Sequence, residues 1–363
     1  MTLIEAVHEA HGAAFTDRGG RRVVADYGRP ERTHRAVRNG VGVAERWPGV
    51  LVLTGDDRVE FVDNAVSNRV PATDGRGTYA LLLDPQGSIT TDMYVFTAGE
   101  RLLVLLPPSR AQAVADDWAE KTFIQDVDVA VATDEFAVFG VHGPSATEKV
   151  ASVLNGSGTP DDPLSFVRGS MVDAGVTVIR DDGLTGEEGY LVVCAADLAA
   201  DVFDTLLHRG MNAVPFGAAV WDALTLEAGT PLFETELRGR LPNVVGVRNA
   251  LDFQKGCYVG QEVVSRVENR GRPNQRLVGL AADRLPDAGA TVAADGEHVG
   301  EVTRAVESTS RDEPIAFAAV DYDLEAVDLT VGTDGADADA TVVDLPFVEG
   351  SDRSARLPTY PEA

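Results

Sequence analysis

Cys257 lies between two glycines four residues apart, in Lys255-Gly256-Cys257-Tyr258-Val259-Gly260-Gln261-Glu262. Glycine lets a backbone turn tightly, or approach another group where a side chain would obstruct it. A thiol two positions after a lysine is a candidate nucleophile, because a neighbouring cation favours the thiolate. The plainer alternative is a tight turn holding a buried, inert cysteine.

Two carboxylates are the next candidates. Asp92, in Gly87-Ser88-Ile89-Thr90-Thr91-Asp92, enters the second strand of an expected hairpin. Strand alternation turns it toward a pocket or toward water, and water is the commoner outcome. Glu187 sits in Leu184-Thr185-Gly186-Glu187-Glu188-Gly189-Tyr190, a glycine-bracketed acidic turn. A carboxylate accepts two N–H donors at once, which suits an aminopyrimidine ring. As a bare pattern it is an ordinary acidic loop. Other motifs fail: Asn39-Gly40-Val41-Gly42 has Glu45 where a dinucleotide fingerprint needs its third glycine. No glycine loop ends in Lys and Ser or Thr, and no histidine spacing reads as a metal site.

These residues need elements to hold them. Apolar alternation predicts strands at Thr78–Leu83 and Ile89–Phe96 around Asp84-Pro85-Gln86-Gly87, where Pro at the second place and Gly at the fourth mark a turn. Further strands are expected at 50–54, 102–106, 127–131, 135–139, 176–179 and 190–194. Helices are expected from about 57, and at 109–119, 144–153, 198–208 and 217–228. Beyond Arg270-Gly271-Arg272-Pro273 short strands alternate with Gly and Asp turns, which argues for a small all-β unit over 272–348. Residues 349–363, polar and proline-bearing, read as a tail.

The balance of 58 acidic against 31 basic residues gives a net charge of −27, and Lys121, Lys149 and Lys255 are the only lysines. Acids spread along a lysine-poor chain fit a salt-adapted protein, since dense salt screens the self-repulsion. The same field repels phosphate backbones, leaving Arg266, Arg270, Arg272 and Arg276 as the sole local basic segment for tRNA contact. A charged linker is the preferred reading of that segment. Two cysteines make no disulfide framework. No leader or membrane-length apolar run is present, so a cytoplasmic protein with no membrane partner is expected.

Taken in order, Glu31–Arg38, Leu51–Gly55, Tyr79–Val95, Val141–Ala146, Leu184–Tyr190, Pro215–Gly229 and Lys255–Glu262 resemble the glycine-cleavage T-protein (aminomethyltransferase) superfamily over most of the chain. The octapeptide further resembles the YgfZ-type branch, folate-binding proteins implicated in iron–sulfur cluster maintenance and, through it, tRNA modification. The resemblance implies an α+β, multi-lobed fold around a central channel, with two intertwined lobes over 1–271 and a C-terminal β-barrel. It implies tetrahydrofolate as cofactor and no metal. Asp92 matches an acid near the reacting folate nitrogens, Glu187 the acid gripping the pterin, and Glu227 a helix-end acid shaping the channel. Tyr79 belongs to the same cofactor-binding set. Cys257 and Lys255 match the branch's thiol and cation. Thr91 replaces the first acid of the family's pair, and Trp221 and Thr225 stand where arginines are common.

Three readings follow. The favoured one is folate-dependent maintenance of iron–sulfur enzymes, with Asp92, Cys257 and Lys255 as the reactive groups. The alternatives are an aminomethyl transfer to tetrahydrofolate from a lipoyl carrier protein, and a non-catalytic folate-binding module. All three expect Asp92 and Glu187 to converge on one cavity.

Overall fold

A computed structural model describes residues 2–333 and 336–361, with the side chains of Arg270 and Ala336 outside the description. Two antiparallel sheets form the first two lobes. One has the strand order Arg76–Leu83, Ile89–Ala98, Arg101–Leu106, Gly49–Thr54, Asp128–Val131. The other runs Phe166–Met171, Ala174–Arg180, Gly189–Ala195, Phe136–His142, Gly42–Arg46, and ends on the parallel pair Val214–Pro215. The chain crosses between the sheets at Trp47-Pro48, so the lobes are interleaved.

Each sheet buries one face under helices. Phe61, Val62, Val114 and Trp118, from helices Arg58–Ala65 and Ala111–Lys121, pack on Leu51, Leu53, Met93, Val95 and Val104. Val150, Val202, Phe203 and Leu206 do the same for Val43, Phe139, Val141 and Val192. The remaining faces meet each other: Val50, Phe96, Leu103 and Leu105 of the first sheet touch Val138, Ile179, Leu191 and Val193 of the second. With both faces covered, strands such as Gly49–Thr54 and Gly189–Ala195 are near-continuous apolar runs and were legible, whereas Gly42–Arg46 and Phe166–Met171, broken by charged or polar residues, were not expected.

The third lobe is a closed six-stranded barrel in the order Gln275–Ala282, Glu313–Asp321, Glu297–Ser308, Thr291–Ala294, Asp328–Thr333, Ala336–Val343. Closure removes the exposed strand edges that such short strands would otherwise present. Asp328–Thr333 was not expected as a strand; its inward residues are Leu329 and Val331. Helix Gln261–Arg270, also not expected, seats Val264 in the core between barrel and first sheet.

The expected tail at 349–363 requires correction, Glu362 and Ala363 lying outside the described residues. Residues 349–361 form a strap across all three lobes. The Ser351 amide donates to Glu187, Arg180 donates to Asp352, and Arg356 enters the core at 5% exposure. The Thr359 amide then donates to Gly246, and the Tyr360 hydroxyl accepts from the Leu277 amide of the barrel. Polar composition disguised the strap because its polar groups are spent on long-range partners and not on water.

Candidate functional site

Pairing of Leu81 with Asp92 and Tyr79 with Tyr94 fixes the register of the hairpin. Alternation then puts Asp92, Tyr94 and Phe96 on the face between the two sheets, and Thr91, Met93 and Val95 toward the helices. Asp92 is therefore aimed at a cavity and not at water. That cavity, of ≈ 1680 Å³ including its open mouth, lies where the lobes meet. Its walls are mainly apolar, from Leu105, Leu106, Pro107, Val138, Leu184, Leu191, Trp221 and Phe233.

Asp92 Oδ2 receives both the Tyr79 hydroxyl at 3.0 Å and Arg356 Nη1 at 3.0 Å. Oδ1 has no partner among the described residues and belongs to a cavity-wall side chain. Arg356 lies flat over Tyr79, 3.8 Å from its ring centre, and donates through Nη2 to the Tyr94 hydroxyl at 2.5 Å. Tyr94 in turn donates to Asp182 Oδ1 at 2.7 Å. Burial, then the nearby carboxylates, raise both tyrosines well above their ordinary value, so they serve as donors. Burial works against the Arg356 charge, but its two tyrosines, Asp92 and Asp182 outweigh it and hold the guanidinium protonated. Burial also raises Asp182, with Arg356 and Tyr94 pulling the other way.

Glu187 does not line this cavity. Its Oε1 takes Arg38 Nη1 at 2.9 Å, and its Oε2 takes the amide and hydroxyl of Ser351 at 2.9 and 2.5 Å. Glu227 is fully buried in the same network: Arg38 Nη2 at 2.7 Å and His34 Nε2 at 2.8 Å on one oxygen, Ser308 Oγ at 2.6 Å on the other. The guanidinium of Arg38 thus ties two carboxylates together beside the cavity. The expected convergence of Asp92 with Glu187 is replaced by a convergence of Asp92 with Asp182, through Tyr94 and Arg356.

The octapeptide also differs from expectation. Lys255 Nζ is buried, bonded to the carbonyls of Val66 at 2.9 Å, Asn68 at 3.0 Å and Asp63. It sits at the C-terminal end of helix Arg58–Ala65, where a cation meets the negative end of the helix dipole. Three carbonyl partners leave it no free proton to offer Cys257. Burial lowers its pKa, and Asp63 partly restores it. Cys257 is exposed and lines no part of the Asp92 cavity. Gly260, at φ +81°, closes against the hairpin turn; a Cβ there would lie 2.6 Å from the Asp84 carbonyl oxygen. The octapeptide braces the hairpin that carries Asp92.

Of the basic segment, Arg272 pairs with Asp323 at 3.1 Å and Arg276 donates to the Leu324 carbonyl at 2.8 Å. The Arg270 side chain lies outside the described residues. No helix among the described residues is long and apolar enough to cross a membrane.

Sequence reasoning missed Arg356, Tyr94, Asp182 and Arg46. Tyr94 and Asp182 carried a usable signal, standing two residues from Asp92 and two before the flagged acidic turn. Arg356 and Arg46 carried none, each being one arginine among many.

Comparisons with known proteins bear on the fold and the family. The family profile for the GCVT N-terminal domain matches residues 4–255, and that for the glycine cleavage T-protein C-terminal barrel domain matches 275–349. An aminomethyltransferase of Cutibacterium acnes is 31% identical, over 96% of this chain and 98% of its own length. One from Streptomyces coelicolor is 32% identical over 95% and 96% respectively. The crystal structure of glycine cleavage system aminomethyltransferase T from Bartonella henselae covers 97% of this chain at a TM-score of 0.86 and 22% identity, a likeness of fold. Two profiles that follow one another in order over most of the chain, on an α+β fold closed by a barrel, place it: the chain belongs to the glycine-cleavage T-protein (aminomethyltransferase) family.

Proposed function

We propose that the cavity binds a reduced folate, and that the chain passes to it a one-carbon unit from an aminomethyl donor carried on a lipoyl protein. This family uses tetrahydrofolate. The residues present suit it: a large cavity with apolar walls and few convergent polar groups is the usual form of a site for a flat, drug-sized ligand. The observation that carries the reading is the half-satisfied carboxylate of Asp92, with Oδ2 fixed by Tyr79 and Arg356 and Oδ1 left for the ligand. Bound there, tetrahydrofolate would supply the nitrogens that accept the one-carbon unit. Asp92 Oδ1 would accept a hydrogen bond from an N–H at the wall. Its negative charge, held still by two buried donors, would stabilise positive charge developing beside it without reorganisation.

Supplied with an aminomethyl-loaded lipoyl carrier protein and tetrahydrofolate, the wild type is expected to release ammonia and methylene-tetrahydrofolate. Asp92→Asn keeps the shape, removes the charge, and should lower kcat roughly 100-fold or more, the usual effect of deleting one fixed electrostatic stabiliser. No product from the wild type, or equal rates in the two proteins, rejects the transfer reading.

One observation favours a second role, in maintaining iron–sulfur enzymes. Cys257 is the exposed thiol of a turn whose ends are anchored by Lys255 and Gly260, so it is presented to partners and not to the Asp92 cavity. In a deletion strain, Cys257→Ser should then fail to restore iron–sulfur enzyme activity while keeping aminomethyl transfer. Full restoration by Cys257→Ser removes this role.

A further inference from the structure

Arg46 ends strand Gly42–Arg46, just before the chain crosses between the sheets, and its guanidinium lines the cavity. Its Cζ lies 3.3 Å from the ring centre of Trp221 and 5.1 Å from that of Trp47. The neighbouring strand makes room with Gly140, where a Cβ would lie 3.2 Å from Arg46 Cδ.

The other arginines of the cavity are neutralised. Arg18 forks onto Asp222, Arg304 is 3.5 Å from Glu236 and bonded to Thr225 and Thr230, and Arg356 holds Asp92. The Arg46 side chain makes no hydrogen bond or ion pair among the described residues, and its Nη1 is shut from solvent without a partner. Such an atom bears the cost of desolvation with nothing to offset it. Indole covers a face of the guanidinium, and Nη1 alone of its nitrogens is shut from solvent, so the fork it offers in its plane is the Nε–Nη2 edge. That geometry receives a planar, two-oxygen anion edge-on. In a chain of net charge −27 an anion is held only where a cation has been placed for it.

We infer that Arg46, stacked on Trp221, is the recognition site for a carboxylate of the molecule that occupies the cavity. The inference rests on the folate reading for the identity of that carboxylate, since a reduced folate ends in a benzoylglutamate bearing two. Burial lowers the Arg46 pKa to about 9, with Tyr94 and Asp181 opposing the shift, so the group is cationic at neutral pH.

Three probes separate the claims: tetrahydrofolate, methyltetrahydropterin, which lacks the tail, and p-aminobenzoylglutamate, which is the tail. Calorimetry on the full chain at fixed ionic strength should show Arg46→Met weakening tetrahydrofolate and p-aminobenzoylglutamate by roughly 10- to 100-fold, the scale of a charged hydrogen-bonded pair. Methyltetrahydropterin should change by no more than about twofold, which also reports that the cavity is intact. Arg46→Lys, which keeps the charge and loses the fork, should recover part of the loss only. Equal losses for all three probes, or none, overturn the carboxylate site. A wild type that binds the pterin but not p-aminobenzoylglutamate overturns it and leaves the folate reading standing. Arg46-dependent binding of p-aminobenzoylglutamate without pterin binding keeps the site and rejects the folate reading. Binding of no probe rejects both.

Discussion

Arg356→Met is expected to lower the stability of the chain by about 3–5 kcal/mol, the cost of removing one partner from a buried ion pair. Methionine fills much of the same volume, so the loss reports charge more than packing. Without the guanidinium, Asp92 keeps Tyr79 and Asp182 keeps Tyr94, but each buried carboxylate loses the one ion-pair partner it has among the described residues. The C-terminal strap should loosen as well, because Arg356 is its buried ionic anchor. Urea denaturation followed by circular dichroism measures the first effect, and faster proteolysis after residue 349 the second. Adding Asp92→Asn to Arg356→Met should return part of the lost stability, since the stranded charge is then gone. A single-variant loss under about 1 kcal/mol, at the level of an exposed ion pair, would mean the network does not hold the strap.

The contrast between what was legible and what was not follows contact distance. The Asp84–Gly87 turn announced itself because every determinant is local: Gly87 takes φ +82°, its amide donates to the Asp84 carbonyl at 2.9 Å, and Asp84 Oδ1 accepts from Gln86 and Ser88. The barrel announced itself through the density of its turns. Asp92 was flagged from its place in the hairpin and given a role by resemblance, but its pocket-facing orientation required knowing that the opposite face of its strand was taken by Met93 and Val95. Its partner Arg356 lies 264 residues away, in a segment whose composition reads as solvated. Lys255 misled in the opposite direction. Closeness to Cys257 in the chain suggested closeness in function, whereas the octapeptide turns the lysine inward to a helix end and the thiol outward. Trp221 looked like a lost charge on its helix; the structure supplies a guanidinium to its ring from another strand.

Glu227 gives the clearest acid response. It joins helix Pro30–Arg38, its own helix Ala218–Glu227 and the end of barrel strand Glu297–Ser308, through His34, Arg38 and Ser308. Burial alone would raise its pKa, but the hydrogen bond from His34 and the charge of Arg38 overcome it and carry the group from 4.5 down to about 2. A depressed carboxylate stabilises the fold above its unfolded pKa and loses that contribution as pH falls through the folded value. The contribution is therefore complete above about pH 5 and disappears toward pH 2, amounting to roughly 3 kcal/mol. Asp181 is also lowered, whereas Asp182, raised by burial, acts with the opposite sign, so the wild-type acid limb is a sum. Glu227→Gln isolates one member of it. The variant should be less stable by about 3–5 kcal/mol at pH 7, because Arg38 keeps only Glu187 as counter-charge. The gap between the two proteins should close by most of that amount between pH 5 and 2. Parallel urea-denaturation curves at pH 7, 5 and 3, with a gap that does not change, would show that Glu227 is not the clasp between the barrel and the first two lobes.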